Sequence, residues 1–307
     1  MRLPSKGADC GMKRSKVWDA VFLGPCMIAL FMVVILPFFQ GIGYSLTDWN
    51  GVKPNITFVG FSNYKEMFSS LEFLYSFLIT LLYTVINVIL VNIVAFLLAL
   101  LVTSQVRGRN IYRAGFFVPN LIGGIVLGYT WQFMFSGFFP GIGHQLGINW
   151  MQQSMIANKD TVILGMSIVN TWQYAGYIML IFVAGIQATS QEIMEAATVD
   201  GAGYFQRVSK ILVPMIANTF TISLFLTVTN SFKMFDLNVA LTNGGPAMRF
   251  MGKIVKSSQL LALTIYNKSI TTKELAKGQA MSVVFFLVLV VFSLLQVYAS
   301  KKREVEA

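Results

Sequence analysis

Apolar residues run along this chain in long blocks rather than in strict alternation, a pattern that predicts helices and not strands. Six blocks, at roughly residues 20–43, 75–102, 114–136, 161–187, 212–235 and 279–299, reach the ~20 residues an α-helix needs to cross a hydrocarbon layer. The prediction is an all-α membrane protein with six transmembrane helices. Between the fourth and fifth blocks, at about 190–214, lies a stretch of polar and small residues with a pattern of its own. Glu195, Ala196 and Ala197 favour helix there, and Gly201 with Gly203 permits a tight bend. Pro214 stands where a new helix would start, because its missing N–H costs little in a first turn.

Composition agrees with the blocks. Of 307 residues 55% are hydrophobic and only 12% charged, about half the charge of a soluble domain, and the mean hydropathy is +0.66. The formal net charge of +10 does not point to nucleic acid, since the basic residues gather at span ends, as the positive-inside rule predicts. Arg2, Lys6, Lys13, Arg14 and Lys16 precede the first span, Arg107, Arg109 and Arg113 follow the second, and Lys301-Lys302-Arg303 follows the sixth. With six alternating helices these fall on one side, the cytoplasmic one, together with both termini and the Glu195 stretch. The first loop carries Asp48, Glu66 and Glu72 against Lys53 and Lys65 and is external. The loop between spans five and six is also external by parity, yet it carries Arg249, Lys253, Lys256, Lys268, Lys273 and Lys277 against Glu274; long loops cross despite their charge.

Catalytic chemistry finds little support. Cys10 and Cys26 make no disulfide framework, and His144, the single histidine, builds no metal site. No Gly-x-x-x-x-Gly-Lys-Ser/Thr run occurs, so the chain itself hydrolyses no nucleotide and binds no cofactor. The first apolar block is too long for a cleaved signal and lacks a small-residue cleavage site. Met12, followed by Lys13-Arg14-Ser15-Lys16, is a second candidate start.

Polar residues inside spans face a bundle or a cavity, because lipid offers them no partner. Trp172, Gln173, Tyr174 and Tyr177 lie deep in span four, roughly 18–25 Å from Asp160 at 1.5 Å per residue. On span five, Thr227, Asn230, Ser231 and Met234 follow i, i+3, i+4, i+7 on one helix face. Aromatic rings and amide or hydroxyl groups suit a pyranose, and the same groups also suit hydrogen bonds between helices. Asn87 and Asn92 in span two read as such inter-helix bonds. Lys233 and Asp236 read as an interfacial ion pair, and Gly124-x-x-x-Gly128 as a site of close helix approach.

Glu195-Ala-Ala-Thr-Val-Asp-Gly201 followed by Ile211-Leu-Val-Pro214 resembles the cytoplasmic coupling loop of binding-protein-dependent ABC importer permeases. Five further stretches are similar to the sugar-importing members: Pro37 to Trp49, Phe58-Val-Gly-Phe-Ser-Asn-Tyr64, Arg107-Gly-Arg109 to Pro119, Asn170-Thr-Trp-Gln173 to Tyr177, and Leu241-Thr-Asn-Gly-Gly-Pro-Ala247. The resemblance covers about residues 15–303; Met248–Ser258 departs from the family pattern. It implies a type I ABC importer permease fold over 17–303, with cytoplasmic tails at 1–16 and 304–307. It implies a non-catalytic subunit in the bacterial cytoplasmic membrane that moves a sugar or oligosaccharide. A second related permease, a dimer of ATPase subunits that use the ATP and magnesium, and an extracellular solute-binding protein are the implied partners. Glu195, Ala196, Ala197, Asp200, Gly201, Ala202 and Pro214 would contact the ATPase. Trp172, Gln173, Tyr174, Tyr177, Thr227, Asn230, Ser231 and Met234 would line the sugar path. The rival reading, an ion-coupled secondary transporter of small polar solutes, wants carboxylates deep in spans; Asp19 and Asp236 lie near span ends.

Overall fold

A computed structural model describes residue 18, residues 21–104 and residues 107–301, with side chains to residue 298. The basic N-terminal tail, Asp19, Lys302-Arg303 and the 304–307 tail lie outside the described residues. The helices are α1 (Val21–Ser45), α2 (Ser62–Ser69), α3 (Leu71–Thr103), α4 (Arg109–Leu121, its last turn 3₁₀) and α5 (Gly124–Leu146). After them come α6 (Val162–Ala188), α7 (Gln191–Val199), α8 (Tyr204–Met215), α9 (Ala217–Phe232), α10 (Asp236–Leu241), α11 (Leu261–Tyr266) and α12 (Leu275–Lys301). Among the described residues the only strands form an antiparallel hairpin, β1 (Ala247–Phe250) with β2 (Lys253–Lys256), in register Ala247↔Lys256 and Phe250↔Lys253.

Four of the helices are long and apolar enough to cross a membrane unbroken: α1, α3, α6 and α12. The third and fifth blocks are not single rods. α4 meets α5 at 94°, and α8 meets α9 at 74°. The first break follows Pro119 and falls at Ile122 (ψ 125°) and Gly123 (ψ 139°), both extended. The second falls at Ile216 (φ −98°, ψ 21°). Pro214 therefore does not open the fifth span. It sits inside α8, just after a π-helical turn at Val208–Leu212, a wider turn that relieves the clash of a proline ring with the carbonyl four residues earlier. The span itself starts three residues later, at Ala217.

The chain divides into two compact units. The first combines residues up to Glu66 with Lys268–Val283. In it Asn63 Nδ2 donates to the carbonyls of Ser45 (2.8 Å) and Thr47 (2.7 Å), tying α2 to the end of α1. The Ala276 N–H donates to the Trp49 carbonyl at 2.9 Å. Asp48 accepts the Thr57 backbone N–H at 2.8 Å, which with Lys53 nearby pulls its carboxyl down to about 2. Two lysines of the basic loop are neutralised here: Glu274 pairs with Lys268 and Lys277, and Lys277 also meets Glu66.

The second unit holds Met67–Asn267 and the chain from Val284 onward. Its centre is α3 packed along α6. Val91, Ala95, Ala99 and Val102 present a stripe of small side chains at i, i+4, i+8, i+11 to Ala175, Ile178, Met179, Phe182 and Val183. Lipid is as apolar as these residues, so close van der Waals packing rather than expulsion from water holds the pair together. Close approach recurs elsewhere. A Cβ on Gly176 would sit 1.8 Å from the Phe116 carbonyl oxygen, so α4 crosses α6 backbone to backbone. A Cβ on Gly124 or Gly128 would sit 2.9 Å and 2.5 Å from the Cβ atoms of Asp236 and Ala240, so the Gly-x-x-x-Gly pair seats α10 on α5.

Candidate functional site

Two places in the second unit carry the residues singled out above. The first is the turn between α7 and α8. α7 ends in a Schellman motif: Ala202 N–H donates to the Ala197 carbonyl (2.9 Å) and Gly201 N–H to the Thr198 carbonyl (3.1 Å). Gly201 has φ +83° with open space around it, so a left-handed backbone, not crowding, is what calls for glycine. α8 then begins with Gln206 Oε1 accepting the Gly203 N–H at 3.1 Å. Arg207 reaches back to Thr198 Oγ1 at 2.5 Å, and Gln191 donates to Glu195 Oε1 at 2.6 Å. Glu195, Ala196, Asp200 and Pro214 are exposed, Ala202 is half-buried, and Ala197 turns inward and is buried. Beside them stand apolar side chains that polarity patterns do not flag: Val199 is 88% and Phe205 80% exposed, with Ile193 and Tyr204 also open. The turn is thus a short helix–turn–helix that exposes an apolar crest and two carboxylates side by side. Under it lies a cleft of about 590 Å³ bounded by Thr103, Gln187, Met194 and Leu212.

The second place is a cavity of about 480 Å³ among α5, α6, α9 and α10. Gln173, Tyr174, Asn230 and Met234 line it. Gln173 lies eleven residues into the 27-residue α6, roughly 17 Å along it and so near mid-membrane. Its Nε2 donates to the Ile122 carbonyl at 2.8 Å, satisfying an acceptor freed by the α4–α5 break. Met234 reaches the cavity although α9 has ended at Phe232, so it does not get there by helical spacing. Asn230 Oδ1 is buried with no hydrogen-bond partner.

The other four predicted lining residues are not brought there. Trp172 is 46% exposed and meets Trp131 edge-on with ring centres 5.6 Å apart. Tyr177 packs against Tyr174, ring centres 5.4 Å apart, on the side of the Phe182 core. Thr227 and Ser231 are fully buried and turn to α3: Ser231 Oγ accepts from Asn87 Nδ2 at 2.7 Å, and Thr227 Oγ1 from Asn92 Nδ2 at 3.3 Å. Asn170 Nδ2 closes the network on Asn87 Oδ1 at 3.0 Å. Asn87 and Asn92 thus hold helices together, as their place in span two suggested.

Five polar cavity residues were outside the predicted set: Asn120, Asn170, Thr229, Lys233 and Asp236. Asn120 follows the proline of the α4 end, and such a break was the signal that could have found it. Lys233 and Asp236 form no ion pair. They are not three apart on one helix, because Lys233 ends α9 (ψ 4°) and Asp236 begins α10. The cavity therefore offers four amides, a hydroxyl, a phenol ring, one cation and one anion, a set with the chemistry to hydrogen-bond a polyhydroxylated solute and to stack on its C–H face.

Comparison with known proteins places this geometry. The family described as "Binding-protein-dependent transport system inner membrane component" matches residues 92–305. The probable starch degradation products transport system permease protein AmyD of Thermoanaerobacterium thermosulfurigenes is 38% identical over 95% of this chain and 97% of its own length. The multiple sugar-binding transport system permease protein MsmF of Streptococcus mutans is 28% identical over 95% and 98%. A chain from the crystal structure of a bacterial ABC transporter involved in alginate import superposes with a TM-score of 0.79 at 18% identity, covering 95% of this chain and 97% of that one. At that identity it shows the fold.

Proposed function

The chain belongs to the binding-protein-dependent transport system inner membrane components, and from that premise we propose that it is the permease subunit through which an ATP-driven importer moves a sugar or oligosaccharide into the cell. The cavity at the α4–α5 break carries this reading: Gln173, Tyr174 and Asn230 converge near mid-membrane beside discontinuous helices, where transporters hold their substrates. The names of AmyD and MsmF, for starch degradation products and multiple sugars, support the substrate class. ATP is hydrolysed by a separate pair of ATPase subunits, which cover the crest of Ile193, Val199, Tyr204 and Phe205 and meet Glu195 and Asp200. A second permease completes the pathway. A solute-binding protein delivers sugar from outside, and both tails lie in the cytoplasm.

Movement of the α7–α8 turn reaches the cavity through rigid parts. α8 runs from the turn to the break at Ile216, and α9 carries Asn230 beyond it. A push on the turn therefore swings α9 about Ile216 and opens or closes the cavity on one side. In a complex reconstituted with its ATPase and binding protein, maltotriose should stimulate ATP hydrolysis. Glu195→Arg or Gly201→Asp should abolish uptake at unchanged membrane abundance. Normal transport by both variants would remove the coupling role from this turn.

A further inference from the structure

The β1–β2 hairpin is used by nothing described so far. Residues 247–258 hold Arg249, Lys253 and Lys256 and no acid. Lys256 Nζ donates to the Asn243 carbonyl at 3.0 Å, whereas Arg249 and Lys253 are exposed and meet no carboxylate among the described residues. Between and beside them project Met251 and Ile254, 72% and 74% exposed.

The hairpin is held firmly from behind. Phe250 packs on the Tyr75 ring at 5.1 Å, Tyr75 Oη donates to the Ser257 carbonyl at 2.8 Å, and Val255 is buried. Asn238 Nδ2 donates to the Ser258 carbonyl at 2.8 Å, while the Leu260 N–H donates to Asn238 Oδ1 at 3.2 Å. Its tip is less comfortable. Met251 (φ +48°) and Gly252 (φ +85°) both occupy the left-handed region, as a two-residue hairpin turn demands. Glycine or asparagine meets that demand at the first position without strain; an exposed methionine does not. Folding alone gives no reason for Met251.

We propose that this hairpin is the docking element for the solute-binding protein, inserting Met251 and Ile254 into an apolar depression rimmed by acidic side chains that face Arg249 and Lys253. The proposal rests on the external orientation and the importer role given above. A protein partner fits better than a bilayer surface, because two apolar side chains on a rigidly clamped tip make a shaped knob and only a small anchor. Paired cations around such a knob steer an acidic partner and add salt dependence, while the knob supplies the contact that excludes water.

The test titrates ATPase activity of the full complex with its cognate binding protein loaded with maltotriose, in neutral phosphatidylcholine vesicles and in vesicles containing phosphatidylglycerol. Arg249→Glu/Lys253→Glu should raise the half-maximal binding-protein concentration about tenfold or more, flatten its salt dependence, and leave basal ATPase activity and maximal stimulation unchanged. Met251→Gly relaxes the turn, so a purely structural role predicts equal or better function; docking predicts a several-fold loss of apparent affinity in a protein at least as stable. Wild-type titrations from both variants overturn the proposal. So does a charge-reversal defect seen only in phosphatidylglycerol vesicles, which would assign the hairpin to the lipid surface. A wild-type complex that does not respond to binding protein, or labelling of Met251→Cys only from the cytoplasm, would instead overturn the importer reading or its orientation.

Discussion

α9 carries two sets of polar residues one residue apart, and they do different work. Thr227 and Ser231 point at α3, where both are fully buried and every hydroxyl is engaged: each donates to the carbonyl four residues back and accepts from Asn92 or Asn87. Asn230 points at the cavity, and its Oδ1 has no partner. Both sets are uncharged polar side chains. The difference is which neighbour each meets: α3 approaches one side of α9, while the side toward α5 and α10 is left open. A hydrogen-bonding group at mid-membrane holds helices together where another helix is near and is left free for a solute where none is.

The widest separation between the two sets should appear in transport kinetics. Asn230→Leu and Tyr174→Ala each withdraw a group from the cavity, and an unmade buried hydrogen bond costs about 1–3 kcal/mol, or roughly 5- to 150-fold in affinity. Half-saturation for maltotriose uptake should rise by that range while membrane abundance stays level. Equal kinetics in both variants would move the site elsewhere. Asn87→Leu should do the opposite. It strips the acceptor from Asn170 and the donor from Ser231, which lowers stability in detergent by about 1–3 kcal/mol, while the protein that survives keeps its half-saturation. A shift in half-saturation at full abundance would place Asn87 in the sugar path. The smallest effect is expected from Thr227→Val, which gives up the long contact to Asn92, about 0.6 kcal/mol for an average bond between membrane helices. A tenfold rise in half-saturation there would erase the distinction between the two sets.

The α7–α8 turn offers a second contrast, this time with the cavity. Everything that shapes the turn lies within a few residues: a helix former run at Glu195–Ala197, a Schellman close on Gly201, and Gln206 capping α8. Such features are readable because their partners are neighbours in sequence. Pro214 shows the limit even there. Its place at the start of a helix was a local expectation, and a π-helical turn at Val208–Leu212 made room for it inside α8 instead.

The sequence by itself determined that this chain is a helical membrane protein, where its apolar blocks lie, and which turn stands apart from them, because each of these follows from runs and spacings along one stretch of chain. It also supplied the family. What only the tertiary structure decided was where those blocks bend and which face each polar residue shows to what. The breaks at Ile122 and Ile216 lie inside unbroken apolar patterns, and hydropathy is blind to a change of direction. The hairpin at Ala247–Lys256 needed Tyr75, far away in sequence on α3, to hold it. A helix wheel fixes the angle between Thr227 and Asn230; the presence of α3 on one side and of a cavity on the other comes from packing between segments more than a hundred residues apart.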